Sequence, residues 1–291
     1  RNGRTLSCLV SRASLPLRQL EELTMALSIR WIRWLLVPLM AMPGVGVRAA
    51  DCGPYRMAFY EFGSVYYRTA SGDFAGIDKD VVDEVARRTG CRLEGYLDSR
   101  ARTWTHLADG SLDMTVSGVQ NEERERLAYF ATYLKTRNYL LTVSKESQHV
   151  QSLRAFTDNP SLRLAIVKLF RHGEPFDNWI EDLKRLNRVD EYADPDTVAK
   201  VVSVGRADAF LSQPLVWTPL LEKHHLQNRV RVLDVAPNTN VRAGLVLSRK
   251  RIAPEHAKLM QVSVESMRED GTLLKILQRH IGADLAARSV P

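Results

Sequence analysis

The stretch Asp113-Met-Thr-Val-Ser-Gly-Val-Gln-Asn-Glu-Glu-Arg-Glu-Arg-Leu-Ala-Tyr-Phe130 passes from a strand through a turn into a charged helical run. Leu112, Met114 and Val116 alternate with smaller or polar residues, which is the period of a half-buried strand, and the strand runs out at Ser117-Gly118. Asn121 is placed to cap a short helical turn, and Glu122 and Glu123 suit the positive end of that turn. Arg124 then projects beside the strand end. A hydroxyl, backbone amides and a guanidinium are thus expected to converge, with Gln120 close by. That set holds a small carboxylate: the planar guanidinium pairs with both oxygens, and the amides donate to the remaining lone pairs. The alternative is a solvated charge in a Glu-Glu-Arg-Glu-Arg run, with intrahelical pairs worth a few tenths of a kcal/mol.

The flanks favour a site. Upstream, Trp104-Thr-His-Leu-Ala-Asp-Gly-Ser-Leu-Asp113 reads as a helix closed by a Gly turn that feeds the strand, and downstream lies Ala128-Tyr-Phe-Ala-Thr-Tyr133. Gly76-Ile-Asp-Lys-Asp-Val-Val-Asp-Glu-Val-Ala-Arg-Arg-Thr-Gly90 opens with Asp78 as an expected cap, and Val81, Val82, Val85 and Ala86 form one apolar face. Near the C-terminus Met267-Arg-Glu-Asp-Gly-Thr-Leu-Leu-Lys-Ile-Leu277 is helix, turn, helix. In their order and spacing these segments resemble the bacterial extracellular solute-binding proteins of family 3, the amino-acid-type receptors of ABC importers, over most of residues 51–285. The resemblance implies that Arg124, six residues before Phe130, binds the solute carboxylate with Ser117 and Gly118; the motif differs from the family in having one residue fewer between Gly118 and Arg124 and in Gln120, a candidate contact, where a hydroxyl is common. It also implies that the aromatic end of the first strand, Tyr60 and Phe62, walls the pocket.

Alternating strands and helices argue an α/β fold. Tyr55–Phe62 is the first strand. Asn138–Val143 crosses into a second lobe containing a strand at Leu162–Val167, helices at Phe176–Leu186 and Pro195–Val204, a strand at Gly205–Leu211 and a short one at Arg231–Asp234. Val241–Ser248 returns, and helices follow at Pro254–Glu269 and Thr272–Ile281. The architecture expected is the two-lobed periplasmic-binding-protein fold of type II with two crossing hinge strands, lobe 1 comprising 51–139 and 243–291 and lobe 2 comprising 140–242.

The second lobe departs from the family pattern. Lys168-Leu-Phe-Arg-His172 stands where a Gly-Thr or Gly-Ser is usual, and Gln213 stands near the position of the Asp that pairs with a ligand ammonium. Lys168, pointing inward, would add a second positive group and favour a dianion or other organic acid; Glu61 or Asp98 could instead replace the missing acid. Lys168 facing solvent is the plain alternative.

Residues 1–24 read as an untranslated or unstructured leader before Met25. Residues 25–50 read as a cleavable signal peptide, with basic Arg30 and Arg33, an apolar run interrupted by Pro38, and small residues at Val47 and Ala49. The formal net charge is +7, but residues 1–50 hold seven basic and two acidic residues, leaving 34 basic against 32 acidic and a net charge of +2. Nucleic acid is therefore not an expected partner. Cys52 and Cys91, the two cysteines beyond the leader, read as a disulfide in an exported chain, against the alternative of two free buried thiols.

No Gly-x-Ser-x-Gly, His-Glu-x-x-His or phosphate-binding loop occurs, and the seven histidines are scattered, so no metal or cofactor is expected. The function expected is a monomeric periplasmic receptor that captures a small polar carboxylate-bearing solute for a membrane ABC permease, without covalent chemistry. Alternatives are an enzyme on the same fold, similar to cyclohexadienyl dehydratases, with Glu61, Lys168 or His172 as acid or base, and a ligand sensor for a signalling receptor.

Overall fold

A computed structural model describes residues 52–291. The expected leader (1–24) and signal segment (25–50) lie outside the described residues. In chain order the elements are β1 (Tyr55–Phe59), β2 (Tyr67–Arg68), β3 (Phe74–Ala75), α1 (Ile77–Thr89), β4 (Leu93–Leu97), α2 (Arg100–Asp109), β5 (Met114–Val119), α3 (Glu122–Glu125) and β6 (Ala128–Thr136). There follow β7 (Tyr139–Thr142), α4 (Leu153–Asp158), β8 (Leu164–Val167), α5 (Phe176–Arg185), β9 (Val189–Tyr192), α6 (Pro195–Ser203), β10 (Ala209–Ser212), α7 (Pro214–Lys223) and β11 (Arg231–Leu233). The chain ends with β12 (Val241–Ser248), α8 (Pro254–Glu269), α9 (Thr272–Ile281) and α10 (Ala283–Ser289).

Two five-stranded sheets result, ordered β4-β1-β5-β12-β6 and β11-β7-β10-β8-β9. Each has a parallel part and an antiparallel part: β1 runs parallel to β4 and β5, and β8 parallel to β9 and β10, while β12 and β7 run against their neighbours. The chain crosses between the sheets twice, from β6 to β7 and from β11 to β12. This is the expected two-lobed arrangement with crossing strands. It matters for the site because ligands of open parallel sheets bind outside the carboxyl ends of the strands. Tyr60, Ser117-Gly118, Lys168 and Gln213 all lie at such ends, of β1, β5, β8 and β10.

The helices form where apolar residues recur on one face. In α1, Ile77, Val81, Val82 and Val85 are buried against the first sheet, and Gly90 ends the helix in the left-handed region. In α5, Phe176, Trp179, Ile180 and Leu183 form the stripe that covers the second sheet. Cys52 and Cys91 are joined, with Cα atoms 4.5 Å apart and a sequence separation of 39. On the chain-entropy account, closing a loop of that length stabilises by about 4 kcal/mol. The hairpin of β2 and β3 and the helices α4, α7 and α10 lack a strong periodic signal and were not among the expected elements.

One helix start differs from expectation in a way that shapes the site. Gly76, not Asp78, occupies the N-cap position of α1. Asp78 therefore falls inside the first turn, on the same face as Val81, Val82 and Val85, and is fully buried.

Candidate functional site

The two lobes are closed on each other. Ser64 N donates to Leu215 O at 2.9 Å, Arg171 Nη2 donates to Glu123 Oε2 at 2.6 Å, and Phe62 and Phe170 lie with ring centroids 5.5 Å apart. Between them sit two buried guanidiniums from the first lobe, Arg124 and Arg100.

Arg124 is positioned as the sequence suggests. Asn121 caps the short turn, its Oδ1 accepting from Arg124 N at 2.9 Å, and the Arg124 side chain is buried. Its guanidinium lies 3.7 Å from the Trp104 ring centroid, and it donates to Val119 O at 3.0 Å and across the cleft to Leu169 O at 3.1 Å. Burial and the neighbouring Arg100 push its pKa down to about 9, so it remains cationic at neutral pH.

Gly118 is needed beneath it: a Cβ there would lie 2.1 Å from Val246 Cγ2. Ser117 takes a positive φ of 48°, and β12 shifts register against β5 at the same place, the mark of a bulge. The bulge turns Ser117 inward. Its hydroxyl donates to Asp78 Oδ1 at 2.7 Å, its amide donates to the Tyr133 hydroxyl at 3.0 Å, and Tyr133 in turn donates to Asp78 Oδ1 at 2.5 Å. The expectation that Ser117 donates to a solute is therefore corrected: its donors are taken up by the buried Asp78 and by Tyr133. Burial pushes Asp78 up to about 7 against the pull of those two hydroxyls and of Arg100.

Tyr60 and Phe62 do line the cleft. The Tyr60 hydroxyl donates to Val116 O and Ser117 O at 3.0 and 3.1 Å, which fixes its ring under Arg100, 4.7 Å from the guanidinium carbon. Burial raises the pKa of that hydroxyl and Arg100 pulls against the rise, but the guanidinium approaches over the ring and none of its nitrogens meets hydrogen-bond geometry. The Phe170 ring centroid also lies 4.5 Å from the Arg100 guanidinium carbon. The first turn of α2 had no place among the expected site residues. Its signal was the helical phase, since Arg100, Thr103 and Leu107 form the buried face of α2.

From the second lobe come Gln213, Asn138 and His172. Asn138 Nδ2 donates to His172 O at 2.8 Å, which leaves Asn138 Oδ1 to accept from His172 Nδ1 at 3.1 Å and from Gln213 Nε2 at 3.4 Å. His172 is thus protonated on Nδ1, and its Nε2, buried and without a partner among the described residues, carries the lone pair. Burial and Arg100 push its pKa down to about 3, so the ring is neutral. These groups enclose about 20 Å³ together with Phe62 and Phe170, room for roughly one water. The Leu169-Phe170 turn, with Leu169 at a φ of 59°, separates this space from a cavity of about 370 Å³ that it lines with Trp104 and Arg124, and a further cavity of about 340 Å³ is lined by Tyr60, Phe62 and Arg100.

Three expected groups lie elsewhere. Lys168 is exposed, because the turn that begins at Leu169 sends Phe170 inward in its place. Gln120 is half-buried and donates to Glu125 Oε1 at 2.5 Å, so it serves the short helical turn instead of the cleft. Of the two replacement acids, Glu61 is exposed and Asp98 is held by Arg102 at 2.6 Å.

Comparison with known proteins bears on the family and the fold. Residues 57–283 match the family described as bacterial extracellular solute-binding proteins, family 3. Over 171 residues the chain is 30% identical to a cyclohexadienyl dehydratase of Pseudomonas aeruginosa, a match spanning 58% of this chain and 59% of that protein. Over 218 residues it is 22% identical to a probable amino-acid-binding protein, YxeM, of Bacillus subtilis, spanning 74% of this chain and 79% of that one. A solved structure described as a putative L-cystine ABC transporter from Listeria monocytogenes superposes with a TM-score of 0.64 at 21% identity, over 79% of this chain and 96% of that chain, a likeness of fold. Two α/β lobes joined by crossing strands, a buried guanidinium at the strand ends between them and a family match over most of the described residues lead to one assignment: the chain belongs to the bacterial extracellular solute-binding proteins of family 3.

Proposed function

We propose that the protein is a periplasmic receptor that captures a small polar solute bearing a carboxylate, an amino acid or an organic acid, and delivers it as a monomer to a membrane ABC permease. Residues 25–50 would export it as a cleaved signal peptide. Arg124 carries the reading. A buried guanidinium that reaches across a closed cleft to a single backbone carbonyl is suited to exchanging that carbonyl for a carboxylate, which accepts with two oxygens and full charge.

In this mechanism the lobes open about the two crossing strands and the solute carboxylate replaces Leu169 O on Arg124. Phe62 then covers its apolar part, Phe170 gives up its place on Arg100, and Gln213 and Asn138 meet the solute from the second lobe. Closure is what a permease would recognise.

A second reading, an enzyme on the same fold, is favoured by the match to the dehydratase. Of the expected acid–base groups only His172 lies in the cleft, and a ring held neutral down to about pH 3 is a weak base. Thermal melts of the protein against a panel of amino acids and organic acids, with Arg124→Gln in parallel, test the receptor reading. A solute at about a hundred times its dissociation constant stabilises by about 2.7 kcal/mol. A shift seen in the parent and lost in Arg124→Gln supports the proposal, whereas equal shifts in both remove Arg124 from the site.

A further inference from the structure

Among the described residues Arg100 is the charge with the least local justification. It is 3% exposed, and its Nε, Nη1 and Nη2 all lack hydrogen-bond partners. Arg188, similarly buried at 6%, shows what a structural arginine looks like in this protein: its guanidinium donates to the carbonyls of Leu162, Thr157, Phe156 and Asn159 at 2.6 to 2.8 Å. Nor does helix α2 call for a cation at Arg100. It is the first helical residue, where the helix dipole disfavours positive charge, and the first turn holds no acidic residue. Arg102 takes Asp98. Asp78, the carboxylate that senses Arg100, receives Ser117 and Tyr133 and makes no hydrogen bond to the guanidinium.

Arg100 also sits beside Arg124 in a specific way. Trp104, on which Arg124 stacks, is four residues along α2 from Arg100, so the two guanidiniums flank neighbouring positions on one helix face. Two consecutive residues of the second lobe bridge them: Leu169 gives its carbonyl to Arg124, and Phe170 lays its ring on Arg100. We propose that Arg100 is a second anion subsite and that the cleft takes a solute with two carboxylates, one on each guanidinium. The inference rests on the receptor reading above and names its solute class. Two sources present the same pair of carboxylates: a plain dicarboxylic acid and an acidic amino acid.

Calorimetric titration with two matched pairs decides it: glutarate against butyrate, and glutamate against alpha-aminobutyrate, each pair differing by one carboxylate. In at least one pair the two-carboxylate member is expected to bind about ten- to a hundred-fold tighter. That advantage should fall to about twofold or less in Arg100→Gln and return in part in Arg100→Lys. An advantage confined to the glutarate pair identifies an organic diacid, and one confined to the glutamate pair an acidic amino acid. The inference is overturned if neither pair shows an advantage, including silence of all four probes at millimolar concentration, or if the advantage survives in Arg100→Gln. If Arg100→Gln does not fold by circular dichroism, Arg100→Met takes its place under the same criteria. An Arg124-dependent response to a monocarboxylate would then leave the receptor reading standing while this one falls.

Discussion

Replacing Arg100 by Met should make the protein more stable when no carboxylate is in the buffer. Met keeps most of the apolar stem and removes the charge. What is relieved is a buried guanidinium with three unpaired nitrogens, each unsatisfied polar group costing about 1 to 3 kcal/mol and more when charged. Repulsion of Arg124 is relieved too, since Arg100 is one of the groups that lower its pKa. What is lost is the attraction of the Tyr60 and Phe170 rings at 4.7 and 4.5 Å, about 1 to 2 kcal/mol apiece for a desolvated cation, together with a distant pull from Asp78.

The balance favours the variant by about 2 kcal/mol, or roughly 4 to 8 °C in midpoint for a protein of this size. Urea unfolding with a single transition measures the first quantity and calorimetry the second. Arg188→Met is the control. It leaves four buried carbonyls without their donor and should lose about 3 to 5 kcal/mol. Destabilisation of Arg100→Met by more than about 1 kcal/mol would show that Arg100 is held as an ordinary structural residue, and the reasoning that makes it a binding group would fail.

Two further outcomes can be checked independently. Asp78 has a folded pKa of about 7 against an ordinary 3.8, so the folded state keeps a proton that the unfolded chain has lost, and its contribution falls as pH rises from about 4 to 7. His172, at about 3 against 6.5, works in the opposite sense, its contribution falling as pH drops below about 6.5. The two oppose each other across the shared window, so Asp78→Asn should unmask a stability that rises with pH by up to about 1.4 kcal/mol per unit between about pH 4 and 6.5. Denaturant midpoints measured across that range decide it, and a profile parallel to the parent's would show that Asp78 titrates normally. Phe170→Ala removes the ring that occupies the cleft on Arg100, and the solute that binds the parent should bind the variant about threefold tighter or more. Weaker binding would mean that Phe170 is chiefly a cover for the solute.

The arrangement of lobes was legible because it depends on patterns that survive in one dimension: apolar faces of period 3.6, apolar alternation, and glycine turns at 90 and 110. Arg124 was legible for a similar reason, since Asn121, Ser117-Gly118 and the charged turn are adjacent in sequence and their local geometry carries the side chain to the strand end. Arg100 was not. In Asp98-Ser-Arg-Ala-Arg102 two arginines stand in the same setting, and only the phase relative to Thr103 and Leu107 separates the buried one from the exposed one. Asp78 was misplaced because the helix starts earlier than a cap at that position would require: with Ile77 as the first helical residue, Asp78 joins the stripe of Val81 and Val82. Lys168 was placed at the right strand end with its direction left open, because the side chain sent inward there depends on a left-handed turn at Leu169 that no local residue preference announces.

At the centre stands Arg124, proposed to hold the carboxylate of a solute that leaves unchanged. Calorimetric titration of the parent and of Arg124→Gln with the carboxylate that most stabilises the parent, followed by NMR of the recovered solute, tests this most directly. The expected result is saturable one-to-one binding to the parent, a loss of about a hundredfold or more in Arg124→Gln, and a solute recovered intact. Equal affinity in both proteins, or a solute consumed in many turnovers per protein, would contradict it.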